Sequence, residues 1–303
     1  MNSAFALVLA MLGIGMLLAR LRVFPDNAGE VLNAVVLYVC LPASVLLYAP
    51  RLAFEPALLS LMALPWLLTI ASAGLVWLLS KVVRLRRDEY AVLLLCVALG
   101  NTSFLGYPLT RALIGEAALP YAVVYDQLGT FLVLSTWGLW LLARYGGDTA
   151  PGARAVLTRM LRFPPLWALV FGLILMPAQP PAWIADGLER LAQAMLPLVM
   201  LAIGLTLTLR LPREELAALG SGLVLKLVAL PSIALGLGML MGMGGTLLAA
   251  GVLESAMPPM ITAAALAISH RLAPRLAAAM VGFGTLLALA TLPAWAWLLQ
   301  RVA

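Results

Sequence analysis

The sequence predicts an all-α polytopic membrane protein of ten transmembrane helices, built as a 5+5 inverted repeat. Three observations point there. Of 303 residues 64% are apolar and only 11% charged, against roughly half and a quarter in soluble proteins, too little charge to cover a globular surface of this size. Ten apolar stretches can be counted, and the basic residues fall almost wholly in alternate connections between them. The mean hydropathy of +1.05 agrees. Disordered, collagenous and disulfide-framework classes are excluded, because the 25 Gly and 20 Pro follow no strict period and there are two cysteines. Cys40 and Cys96 both stand in apolar runs and read as small core side chains. A single histidine, His270, excludes a His-rich metal cluster and reads as a loop residue.

A helix rising about 1.5 Å per residue needs about 20 residues to cross hydrocarbon. The first span, 3–19, lacks a basic leader and a small-residue cleavage box, so it reads as a mature helix and not a secretory signal. Spans two and three cover 31–49 and 57–79; the fourth, 90–110, is interrupted by polar residues; the fifth, 119–143, contains Asp126. The sixth, 164–177, is short unless FPPLW (163–167) or PAQPPAW (177–183) extends it. The seventh covers 188–208. Spans eight and nine, 219–241 and 246–268, are separated only by MGMGGT, and the tenth runs 276–299. Aromatic residues near span ends, among them Tyr38, Tyr48, Trp77, Trp183, Trp295 and Trp297, read as interface anchors.

Loops after the odd spans hold Arg20 and Arg22; Lys81, Arg84, Arg86 and Arg87; Arg144, Arg154, Arg159 and Arg162; Arg210 and Arg213; Arg271 and Arg275. Loops after the even spans hold Arg51, Arg111 and Arg190. This asymmetry places the odd loops in the cytoplasm and both termini, including Ala303, outside. The net charge of +6 then reflects oriented basic loops. Two signatures recur at one offset: Pro42 in LPASVLL and Pro197 in LPLVMLA, then Gly129 in DQLGTFLVL and Gly284 in GFGTLLAL. They divide the chain into repeats 1–155 and 156–303. Five spans per repeat is an odd number, so the repeats are inverted, the symmetry that underlies alternating access.

Span four reads AVLLLCVALGNTSFLGYPLTRALIG. Asn101, Thr102 and Ser103 interrupt it, Gly106 frees the backbone and Pro108 removes a donor. In span nine Glu254 and Ser255 precede Pro258 and Pro259, which leave carbonyls near 254 and 255 unpaired. Broken helices in corresponding spans are a pointer to a transport site. Half-helix N-termini suit an anion, while carbonyls and a carboxylate suit a proton or small cation. The alternative for each break is a kink packed in the bundle. Asp126 and Lys226 are further ionisable groups inside spans; Asp126 is read as functional, with a structural polar bond as the alternative, whereas the stem of Lys226 could equally snorkel to the interface. No GxxxxGK[ST], HExxH or TVGYG motif occurs, so an ATP-driven pump, a zinc protease of that type and a potassium channel are not indicated. No enzymatic activity, cofactor or metal site is expected, and nucleic acid is not a partner.

GNTSFLGYPLTRALIG, with LPASVLL, YAVVYDQLGTF, LAIGLTL, ESAMPPMITAAALA and VGFGTLLALATLP in order along the chain, resembles the auxin efflux carrier family in its compact prokaryotic form. The resemblance implies a fold shared with bile-acid sodium symporter-like carriers. Scaffold and transport domains are each assembled from both repeats, and helices 4 and 9 cross at the substrate site. It places Asn101, Thr102, Ser103, Gly106 and Pro108 at one crossover segment and Glu254, Ser255, Pro258 and Pro259 at the other. Plant relatives often carry asparagine in the helix 9 region, where this chain has Glu254, and the long hydrophilic loop of the plant type is absent after span five. The implied function is secondary active transport of small organic anions such as malonate, malate or auxin-like acids across the inner membrane. Export and uptake both stay open. Asp126, Glu254 and Lys226 are the coupling candidates, with either a proton or sodium as coupling ion. A fixed-pore channel and a non-transporting membrane sensor or scaffold are the alternatives. The lipid bilayer, the organic anion and a second copy of the chain, as a homodimer, are the partners in view.

Overall fold

The computed structural model describes residues 2–52, 55–147, 153–207 and 213–302. Arg210 and Ala303, used above for orientation, lie outside the described residues. The described residues form helices α1 (Asn2–Arg20), α2 (Ala28–Arg51), α3 (Ala57–Val82), α4 (Arg87–Ala98), α5 (102–113) and α6 (Glu116–Gly146). The chain continues through α7 (Ala153–Leu161), α8 (Pro164–Ile174), α9 (Ala182–Thr206), α10 (Leu216–Leu240), α11 (Gly245–Ser255), α12 (Ile261–Ser269) and α13 (Pro274–Val302). Six of them, α2, α3, α6, α9, α10 and α13, are long and apolar enough to cross a membrane. The fourth and ninth predicted spans are each two helices with extended backbone between them. Helix α7 stands where the polar, basic stretch between the fifth and sixth spans predicts a loop.

Local chemistry explains where the helices begin and widen. At the start of α4 the carboxylate of Glu89 accepts from the Arg86 backbone N–H at 2.8 Å, satisfying a donor that the first turn leaves open. Arg86 also reaches Glu215, at 3.0 Å, which fastens α4 to the entry of α10. Pro164 and Pro165 open α8, where the missing N–H costs nothing. Three stretches of wide, π-type helix, Val36–Cys40, Thr102–Gly106 and Leu225–Ala229, each end two residues before a proline: Pro42, Pro108 and Pro231. A proline ring cannot donate to the carbonyl four residues back and crowds it, and widening the helix relieves both problems. In α10 the carbonyl so orphaned is that of Leu227, and Trp295 Nε1 donates to it at 2.9 Å. Trp295 is therefore an internal donor and not the interface anchor its position suggested.

Two groups of helices pack as units. Helices α1, α2, α8 and α9 associate with one another, and α3, α4, α6 and α10 to α13 form the second group. In the first, α1 and α9 touch backbone to backbone at Gly15 and Gly204, where a Cβ on Gly15 would come within 2.9 Å of the Gly204 Cα. Lipid gives no hydrophobic drive between helices, so such close approach of small residues is what binds them. Helix α5 lies between the groups, against α6 and α11 on one side and α9 on the other.

Candidate functional site

The two breaks meet. Leu99 and Gly100 leave α4 in extended conformation and pair with the segment after α11 through an antiparallel bridge between Gly100 and Pro259. Asn101 N–H donates to Pro258 C=O at 2.8 Å, and Met260 N–H donates to Leu99 C=O at 3.0 Å. Backbone polar groups freed by the breaks thus satisfy one another, which non-helical backbone buried at such depth requires. Pro258 and Pro259 fit there because the bridge uses a carbonyl from them and no N–H.

Helix α5 is held by two buried acids. Asp126 Oδ1 accepts from Thr102 Oγ1 at 2.5 Å and Ser103 Oγ at 2.6 Å; Oδ2 accepts from Tyr107 OH at 3.0 Å and Gln127 Nε2 at 2.7 Å. Three of these four donors belong to α5. Glu254, fully buried, accepts from Thr110 Oγ1 at 2.9 Å through Oε1, while its Oε2 has no hydrogen-bond partner. Its carboxylate rests against Gly106, where any Cβ would collide with it. Spaced three and four apart, Ser103, Gly106, Tyr107 and Thr110 form a single stripe along α5. The stripe explains why Tyr107 and Thr110, which the sequence reading passed over, belong to the site.

Lys226 does not snorkel. It is 2% exposed, and its Nζ donates to the backbone carbonyl of Ser255 at 3.2 Å. The Ser255 hydroxyl instead turns back to Val252 C=O at 2.6 Å.

One cavity reaches the crossing and a second reaches α5 from the other end of α6. The first, of about 850 Å³, is lined by Asn101, Ser103, Phe104, Met260 and Thr262 at the crossing and by Arg154, Thr158 and Arg162 near the end where α6 finishes. Its walls are largely apolar: Leu37, Tyr38, Leu134 and the stacked pair Phe131 and Phe163, 3.9 Å between ring centres. Within it Asn101 is 3% exposed and its Nδ2 has no partner. The second cavity, of about 600 Å³, lies toward the end where α6 begins and is lined by Tyr107, Pro108, Arg111, Ala112, Ser44, Tyr48 and Gln193 among others. The turn from Ser103 to Tyr107 separates the two. At the mouth of the second cavity Arg111 pairs with Glu189 and donates to Tyr48 OH at 3.2 Å, while Tyr48 OH donates to Glu189 at 2.9 Å. Arg51 pairs with Glu116 at 2.5 Å beside them. The structure thus gathers Asn101, Thr102, Ser103, Gly106, Asp126, Lys226, Glu254, Ser255, Pro258 and Pro259 around one crossing, and Pro108 faces the second cavity. Arg154 and Arg162, read from sequence only as loop charges, line the first.

Crossing half-helices that carry buried acids, with a cavity on each side, are the architecture of a membrane transporter. Comparison with known proteins agrees: residues 2–296 match the family described as membrane transport protein. The chain belongs to this family, the auxin efflux carrier family. It is 32% identical over 293 residues to an uncharacterized transporter of Methanothermobacter thermautotrophicus, covering 95% of each chain. A second uncharacterized transporter, from Methanocaldococcus jannaschii, is 26% identical over 305 residues, covering 97% of each.

Proposed function

We propose that the protein is a secondary carrier of organic anions that works by alternating access, with ten membrane passes in a 5+5 inverted repeat. In this reading α1, α2, α8 and α9 are the scaffold and the remaining spans the transport domain. The basic loops face the cytoplasm, both termini face the periplasm, and the larger cavity is the inward one. The observation that carries the reading is the pair of cavities separated by one turn of α5 beside the crossing. Arg154 and Arg162 draw an anion to the larger cavity, and the unpaired Asn101 amide offers it a donor at the end. Apolar walls and the stacked phenylalanines suit a carboxylate with an apolar body, closer to an auxin-like acid than to malonate or malate. Asp126 and Glu254 are the coupling acids. Both oxygens of Asp126 face donors, so a proton there removes an acceptor from α5 and loosens its hold, while Glu254 takes a proton on its partnerless Oε2 and loses its charge with the Thr110 bond kept.

Counterflow in proteoliposomes tests this. Labelled aryl or alkyl monocarboxylate should accumulate against unlabelled acid trapped inside, without net flux. Conductance without counterflow would replace the carrier with a channel, and exchange confined to amino acids or sugars would overturn the anion assignment.

A further inference from the structure

The prolines after α11 orphan particular atoms. In a continuous helix the carbonyls of Glu254 and Ser255 would accept from the N–H groups four residues on, and those residues are Pro258 and Pro259. Glu254 C=O is met by Met257 N–H at 3.3 Å, a tighter turn. Ser255 C=O receives Lys226 Nζ instead. Gly100 lies alongside across the crossing: a Cβ built on it would stand 3.1 Å from Lys226 Nζ and 3.4 Å from the Glu254 carbonyl oxygen. Among the described residues no ion pair joins Lys226 to a carboxylate. A pocket of about 10 Å³ adjoins it, lined by Thr69, Gly100, Tyr125, Thr130, Lys226 and Glu254. A buried amine on a carbonyl oxygen at the negative end of a half-helix stands where a bound monovalent cation would.

We propose that this is a monovalent-cation site occupied from within: the Lys226 ammonium is a tethered cation that neutralises the carbonyl end of α11 and ties it to α10. The wild-type protein therefore needs no free sodium at the crossing, and removing the amine creates a sodium site. The inference deepens the carrier reading, since it concerns that reading's coupling ion, yet its test does not depend on transport.

Thermal unfolding of purified protein is measured in sodium chloride and in choline chloride at equal ionic strength. Wild type should give the same Tm in both. Lys226→Ala should unfold several degrees lower in choline and regain most of the loss in sodium, saturably. Lys226→Met fills the space with a neutral chain; it should lose stability and show no sodium response. Equal Tm values for Lys226→Ala in the two salts overturn the proposal, as does sodium repair of Lys226→Met or a saturable sodium response in wild type. Failure of Lys226→Ala to accumulate in sodium overturns it too, because the emptied site should take the ion. Counterflow plays no part in this readout, so a failure here leaves the carrier standing, and a failed counterflow assay leaves the cation site standing.

Discussion

At Asp126 four donors converge on one carboxylate, and only an acceptor-only group can receive all four. Asparagine in its place keeps the shape but brings an NH2 that faces donors. Hydroxyls can turn, and the Gln127 amide can flip, since its Oε1 is unpartnered. Folding should therefore survive Asp126→Asn, at a cost of about 1–3 kcal/mol for contacts weakened or lost. The hold on α5 changes more, because the charge-assisted bonds from Thr102, Ser103 and Tyr107 become neutral ones. Counterflow of carboxylate by purified Asp126→Asn is expected to fall about tenfold or more, with a flattened pH profile; a wild-type rate and profile would reduce Asp126 to a structural polar bond. Composition and periodicity made Asp126 legible as an anomaly inside a span. They left its partners illegible, because Thr102 and Ser103 come to it through the break, not through helical spacing along one element.

The elements were legible where proline and glycine write them. Pro108 and the pair Pro258 and Pro259 marked both breaks, and the span boundaries read from apolar runs fall within several residues of the observed helices. What the sequence did not disclose is what answers each orphaned carbonyl, since Trp295 meets Leu227 and Lys226 meets Ser255 across separate helices. Helix α7 escaped for a different reason: its segment is polar and basic, without the apolar run on which the spans were drawn. Contact between α5 and α11 turns on Gly106, whose missing side chain admits the Glu254 carboxylate. Gly106→Ala forces the Glu254 carboxylate to turn aside from α5 in a fully packed site, and overpacking of this kind costs about 1–3 kcal/mol. Glu254→Ala should return the room, so the double variant is expected to unfold at a higher temperature than Gly106→Ala alone. Additive losses of Tm would mean that the two residues do not share that space.

Across the whole molecule the two helix groups are pinned together at one end. Arg111 belongs to α5, while Glu189 and Tyr48 belong to α9 and α2, so this network ties α5 to the first helix group, the boundary that the proposed alternating access would move. Arg51 and Glu116 cross the same boundary from α2 to α6. All four ionic side chains are a quarter to a half exposed, and pairs of that kind are worth about 0–1 kcal/mol each. With about 1.4 kcal/mol for each tenfold in population, two such pairs bias the resting state by at most about thirtyfold. Glu189→Gln removes one charge of it and should shift part of the population toward opening at that end. Cysteines report the shift against a quiet background, because the native Cys40 and Cys96 are both buried. Ala112→Cys lines the cavity next to the network and Thr262→Cys lines the opposite one. In the Glu189→Gln background the first should react with a soluble maleimide a few-fold faster and the second more slowly. A rise at both positions would mean a loosened fold, and no change at either would mean that the network does not hold the boundary; only opposite changes are consistent with one end closing as the other opens.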